Sequence, residues 1–451
     1  MTITTFWTYV CIVYQIGLII AESEIPTWNG PYANLLLEND KSTIEVAVKQ
    51  FMKSWNIPGL SLAISRDSRL GYANAFGFAV RETGERMTMR HVARGASGFS
   101  KPMTSAAIHR LVDTGAISFD DKAFDLIDVP AGVEIGGKLK NVTVKHLLQH
   151  TAGGWSHPKD PLYVYINKSL SDETVLELAL RELPLEFEPG THFGYSNFGY
   201  FLLGKIIERQ MFISYEQYVR TIVQSTFGMC NAFISGSNPE DRRPFEMAYY
   251  DDEDPSRPYS TNRRRNQAAG GWVSSPLDML KFVHKLNASL YSVPEPASRP
   301  PLLRPATIRT MLTEIPLQSG WASGWMVNST GADGDWWLPG SIPGTCALVH
   351  RSESPRLALV FMMNTSPRKQ EFWDDVFALR DTLLRTITKW PNTDPELFFD
   401  CNTLFDGNIT NLNHPNDSTN VFCMISHISY LLVLCSMYVA SHSNEMLCTS
   451  A

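Results

Sequence analysis

Hydrophobic positions fall into helical and strand periods along most of the chain. Residues 42–55 place Ile44, Val48, Phe51 and Trp55 at helical spacing, and Ile57-Pro58-Gly59 ends that helix. Leu60–Ile64 and Gly71–Val80 are apolar and aromatic runs divided by Arg66-Asp67-Ser68, the signature of a hairpin. A buried helix is predicted over 101–114, closed by Gly115. From about 117 to 247 the pattern is mainly helical, with helices over 144–149, 172–181 and 201–208. After Gly270-Gly271 it changes again: a helix over 276–286, strands over 324–327, 346–349 and 357–363, and a closing helix over 372–387. Strands at both ends with helices between them imply one sheet built from the two ends and a second, helical lobe. A cleft between two such lobes is a usual place for a small-molecule site.

The ends of the chain read differently. Residues 6–21 are apolar and uncharged, too short to span a bilayer comfortably, and read as a secretory signal peptide over 1–21. The folded unit is expected over 32–391, with its helical lobe at about 115–265. A polar stalk follows over 392–420, an apolar membrane-anchor segment over 421–440, and a short tail over 441–451. Whether that segment spans the membrane or signals a lipid anchor stays open. Sequons at Asn141, Asn167, Asn287, Asn328, Asn364, Asn408 and Asn416 agree with passage through the secretory pathway to the cell surface or outside it.

Composition narrows the partners. A net charge of -7 argues against nucleic acid. The one tight basic run, Arg263-Arg264-Arg265, is expected to be a solvated loop. No metal-ligand spacing occurs, and no cofactor is implied. Of the cysteines, only Cys230, Cys346 and Cys401 fall in the predicted folded part and its stalk, and the sequence does not choose a pair.

The candidate chemistry begins at Ser97-Gly98-Phe99-Ser100-Lys101, close to the S-x-x-K arrangement in which an amine draws the proton from a nucleophilic hydroxyl. Ser97 lies four residues before Lys101, and Gly98 lies three before it. Tyr195-Ser196-Asn197 offers a proton relay and, two residues on, an amide.

These segments form an ordered series with Ile57-Pro58-Gly59-Leu60-Ser61, Leu147-Leu148-Gln149-His150-Thr151, Pro189-Gly190-Thr191 and Gly270-Gly271-Trp272-Val273-Ser274. The series resembles the class C β-lactamases and penicillin-binding-protein-like serine hydrolases, including animal LACTB-type members, over roughly 42–387. The resemblance implies an α+β fold of the β-lactamase/transpeptidase type: an antiparallel sheet from the N- and C-terminal segments, flanking helices and an inserted helical lobe. It implies acyl-enzyme hydrolysis of an ester or amide, with Ser97, Lys101 and Tyr195 catalytic and Asn197 holding the substrate amide or Lys101. Gly340-Ser341 matches the third motif, where the Ser341 N–H supplies half of an oxyanion hole and the nucleophile's own N–H the other half.

Two departures stand against that activity. Either Gly98 takes the nucleophile's place, or Ser97 does with one extra residue before Lys101 absorbed by a loop or π-bulge. In the third motif Leu338 stands two residues before Gly340, where the family has Lys or His. The sequence therefore predicts a serine hydrolase with impaired catalysis acting on a small-molecule or peptide acyl substrate. The alternative is a pseudoenzyme that uses the cleft to bind a ligand or protein. Ser100 is expected to pack or cap and His150 to be structural. His192 is a minor candidate to replace the lost third-motif charge, and Asp278 is expected in a helix's first turn.

Overall fold

Leu357-Ala358-Leu359-Val360-Phe361-Met362-Met363 shows how the sheet is built: alternate residues enter two different hydrophobic cores, as the period-2 geometry of a strand requires. The computed structural model describes residues 25–67, 69–95, 97–291, 302–353 and 356–392. The segments expected as a signal peptide (1–21), an apolar anchor (421–440) and a tail (441–451), and all but residue 392 of the expected stalk, lie outside the described residues. Among those described, no helix is long and apolar enough to cross a membrane.

The first helix, α1 (Glu38–Ser54), leads into the hairpin of β1 (Gly59–Arg66) and β2 (Arg69–Val80), followed by short strands β3 (Glu85–Arg86) and β4 (Ala93–Arg94). Helix α2 (Ser97–Asp113) then enters the helical lobe, which holds α3 (Val144–Leu148), α4 (Pro161–Val164), α5 (Asp172–Glu182), α6 (Asn197–Met211) and α7 (Tyr215–Phe227). After β5 (Phe233–Ile234), a π-helical turn Gln267–Gly271 and β6 (Trp272–Ser274) come α8 (Pro276–Tyr291) and α9 (Pro305–Met311). Strands β7 (Met326–Val327), β8 (Trp336–Ile342), β9 (Thr345–Arg351) and β10 (Leu357–Met363) and helix α10 (Gln370–Thr386) complete the fold.

The main sheet has seven strands in the order β3-β2-β1-β10-β9-β8-β7, and a small sheet has the order β4-β6-β5. N- and C-terminal segments meet where β1 pairs antiparallel with β10, from Leu60↔Met363 to Arg66↔Leu357. Helices α1 and α10 cover one face, packing Ile44, Val48, Phe51, Phe372 and Val376 on Leu62, Leu348 and Phe361. The other face turns Ala63, Leu338, Val349 and Val360 toward α2, α8 and the helical lobe. Both faces are covered, which explains the unbroken apolar run of β10.

Strand β7 covers only Trp336 and Trp337 of β8. Beyond them β8 is an edge, where Pro339 sits without leaving a ladder donor missing. The β8–β9 hairpin turns on Pro343-Gly344, with Gly344 at φ 82°, a conformation glycine adopts without steric cost.

Three expectations are refined. Arg263 and Arg265 are buried rather than solvated, and only Arg264 is exposed. Their guanidinium forks are held by carbonyls: Arg263 donates to Pro258 O at 2.9 Å, and Arg265 to Tyr165 O and Asn167 O at 3.2 Å each. Cys346 is a free buried thiol, whereas Cys230 is disulfide-bonded. Of the sequons, Asn141 and Asn167 are exposed, while Asn364 is fully buried and donates to Phe78 O at 3.0 Å.

Phe372 joins α10 to α1, with ring centroids 5.9 Å from Phe51 and 5.3 Å from Trp55. Phe372→Ala should cost about 3–5 kcal/mol, read as a lower urea midpoint; an unchanged midpoint would contradict this packing.

Candidate active site

Helix α2 runs as a regular α-helix from Ser97 through Lys101. Among the described residues no π-helical turn interrupts α2 between Gly98 and Lys101. Gly98, three before Lys101, faces the edge of β8: a β-carbon built on it would lie 3.2 Å from Leu338 O and 3.4 Å from Gly340 N. Ser97 opens the helix, and its side chain lies outside the described residues.

Lys101 is buried at the centre of the cleft. Its Nζ donates to Asn197 Oδ1 at 2.7 Å and to Ala269 O at 3.0 Å. The ammonium also lies 4.6 Å from the Tyr195 ring centroid and 5.2 Å from that of Tyr200, close enough for cation–π attraction. Burial pushes the amine down to about 7, opposed by the charge of Asp160. At neutral pH a large fraction is therefore unprotonated, the state a general base requires.

Asp160 is a site residue without a sequence motif. It caps α4 by accepting from Leu162 N at 3.0 Å. Its second oxygen accepts from Asn197 N at 2.6 Å and Phe198 N at 3.2 Å, which fixes the start of α6 and so the Asn197 amide. Burial raises its pKa, against those hydrogen bonds. Only its position as Asp-Pro before an apolar turn signals a helix cap.

Other candidates fall into place around this pair. The Ser100 hydroxyl accepts from Trp272 N at 3.1 Å, a packing role as expected. His150 is buried, and its Nδ1 accepts from Ser196 N at 3.2 Å. Burial first, and then Lys101, holds its pKa well below the usual imidazole range. Its ring lies 4.6 Å from Tyr195, so it supports the Tyr195-Ser196-Asn197 segment as a neutral group. His192 is exposed and stacked on Phe187 at 3.7 Å, a surface pairing rather than a replacement for the third-motif charge. Asp278 lies in the first turn of α8 and accepts from Asn231 N at 2.9 Å.

On β8, Leu338 is buried in the core and contributes no charge to the cleft. Ile342 and Thr345 close a two-residue turn, which makes them a mutually bonded pair. Alternation of an antiparallel ladder then directs the Gly340 N–H to β9 and the Ser341 N–H outward, beyond the reach of β7. That orientation suits an oxyanion donor. The Ser341 hydroxyl itself meets Ser366 Oγ at 2.5 Å. Among the described residues no group of His, Cys, Asp and Glu is arranged to hold a metal ion.

Lys101 also links protonation to stability. Unfolded, the amine holds its proton up to about 10.5; folded, it releases it near 7. Between these values the unfolded state binds more protons, so this group's contribution to stability rises with pH across that window. Lys101→Met removes that term. The variant's stability relative to wild type should be greatest at pH 7 and decline toward pH 10 in urea unfolding; a pH-independent difference would contradict the burial.

Comparison with known proteins agrees with this architecture. The Beta-lactamase family profile matches residues 44–383. A putative D-alanyl-D-alanine carboxypeptidase of Salmonella heidelberg is 31% identical over 203 residues, 40% of this chain and 45% of that protein. The chain thus spans about half the length of the curated relatives it matches. Among solved structures, a class C β-lactamase superposes with TM-score 0.63 at 17% identity, covering 78% of this chain and 97% of that one. The D-amino acid amidase of Ochrobactrum anthropi SV3 gives TM-score 0.60 at 20% identity, covering 78% and 99%. With most of its length matched by the family profile, the chain belongs to the serine-hydrolase-like β-lactamase family.

Proposed function

We propose that this protein binds an acyl ligand in its β-lactamase-like cleft and turns it over poorly or not at all. The observation that carries the reading is Gly98. It stands one helical turn before Lys101 and against β8, where an attacking oxygen would be required, and it has no side chain to supply one. The neighbouring loss at Leu338 supports the same reading, because a buried leucine neither donates a proton nor attracts an anion. Misplacing a nucleophile by about 1 Å can cost a hundredfold in rate, and a one-residue shift around a helix exceeds that.

A second reading keeps Ser97 as the nucleophile of an active ester or amide hydrolase. What favours it is Lys101, held near neutrality beside Tyr195 and Asn197. We further propose a secreted, glycosylated protein held at the membrane through residues 421–440; the apolar N-terminal stretch and the exposed sequons Asn141 and Asn167 support this.

Intact-mass analysis of the folded ectodomain after treatment with a fluorophosphonate, and separately with a penicillin, separates the two readings of the cleft. The binding reading expects no stoichiometric adduct on wild type. An adduct that disappears in both Ser97→Ala and Lys101→Ala would overturn it and establish an acyl-transfer enzyme.

A further inference from the structure

Residues 163–168 form a strap along one side of the cleft. Tyr163 and Ile166 line a hollow beside Asn197, the residue that holds Lys101. Tyr163, Val164 and Ile166 are 44, 44 and 40% exposed. Apolar side chains scattered singly over a surface are ordinary, but three within four residues at a cleft mouth form the kind of patch on which other macromolecules dock. Either a partner covers this rim or something attached to the chain does.

The next residue of the strap, Asn167, opens the sequon Asn167-Lys168-Ser169 and is exposed. Its side chain is held through Oδ1, which accepts from Ser169 N at 3.0 Å and from Ser169 Oγ at 2.9 Å. Neither bond uses Nδ2, the nitrogen to which an N-linked sugar attaches. Asn364, by contrast, spends its Nδ2 on Phe78 O inside the core. A sugar there is incompatible with this fold, whereas one on Asn167 displaces nothing.

The strap is also fixed in place. Buried Arg265 donates to Tyr165 O and Asn167 O at 3.2 Å each, on either side of Ile166. Lys168 Nζ reaches Asn238 Oδ1 at 2.7 Å and Tyr259 O at 3.1 Å, and Lys168 O accepts from Asn262 Nδ2 at 3.3 Å. Moving Asn167 away from the rim would break these bonds, so a group attached there stays beside it. Asn167 lies four residues from Tyr163, at most about 15 Å between Cα atoms, a distance that a branched oligosaccharide covers.

We propose that Asn167 carries an N-linked glycan that covers the 163–166 rim, admitting small molecules to the cleft and refusing proteins and polymers. In forming it, Nδ2 bonds to C1 of an activated sugar pyrophosphate, the pyrophosphate leaves and the amide gives up one proton; nothing is oxidised or reduced. The bulk and hydration of the sugar then keep the apolar rim from associating with other macromolecules. The inference rests on the secretory reading given above. It narrows the occupant of the cleft from a ligand or protein to a small molecule.

Full-length protein expressed in insect cells, with Tyr163→Cys as a reporter at the cleft mouth, tests this. Enzymatic deglycosylation in heavy-oxygen water converts each glycosylated asparagine to a labelled aspartate, and peptide mapping should find the label at position 167. The reporter is then reacted with N-ethylmaleimide and, separately, with a polyethylene glycol maleimide, before and after deglycosylation. Removing the glycan should speed the polymer reagent at least tenfold and change the small reagent less than twofold. Asn167→Gln in the same background should behave as the deglycosylated protein. Val164→Cys serves as the reporter where Tyr163→Cys does not fold. A glycan at Asn141 but not at Asn167, or a polymer reagent equally fast with and without the glycan, overturns this inference alone. No glycan at any sequon refutes the secretory reading and this inference with it.

Discussion

The buried amine of Lys101 is the joint on which the cleft depends. Its two hydrogen bonds tie α2 to the start of α6 and to the π-helical turn at Gln267–Gly271. Ser100 and Thr104 add bonds from the same helix to the same turn and the residue after it, to Trp272 N at 3.1 Å and Ala268 O at 2.7 Å. Asp160 then fixes α6 relative to α4. Removing one partner of such a buried set leaves a polar group unpaired, at several kcal/mol for a charge. The Lys–Asn pair is therefore structural as well as chemical, and its presence is not by itself evidence of turnover.

The two departures from the family pattern lie against each other. Gly98 meets the backbone of Leu338 and Gly340 across the contact between α2 and β8. At that contact Gly98 offers no side chain and Leu338 only a buried aliphatic one. What remains is backbone N–H groups, one base near neutrality and an aromatic wall. On the reading proposed above, that set binds an acyl group without cleaving it.

Much of this was legible in the sequence. The period-2 runs of β1, β2 and β10 and the ordered motifs specify an α+β sheet joined from both chain ends, and the family resemblance implied that Asn197 holds either a substrate amide or Lys101, of which the structure shows the second. The contact of Gly98 with β8 was not legible, because Ser97 and Gly98 both lie within one turn of Lys101 and Leu338 and Gly340 are remote in sequence. Asp160 escaped because its partners, Asn197 and Phe198, are remote in sequence. Arg263 and Arg265 read as a solvated basic run because nothing local reveals the carbonyls that bury them.

The central claim is that position 98, not 97, is the seat of the missing nucleophile. Restoring a hydroxyl there tests it most directly. Gly98→Ser places an oxygen three residues before Lys101, and its β-carbon needs a shift of only a few tenths of an ångström from Leu338 O. The measurement is the pre-steady-state burst with a chromogenic ester or β-lactam, wild type against Gly98→Ser, with the acylated residue located by peptide mapping. The account predicts a stoichiometric burst in Gly98→Ser, mapped to position 98, and none in wild type. A wild-type burst mapped to Ser97, with Gly98→Ser slower than wild type, would contradict it.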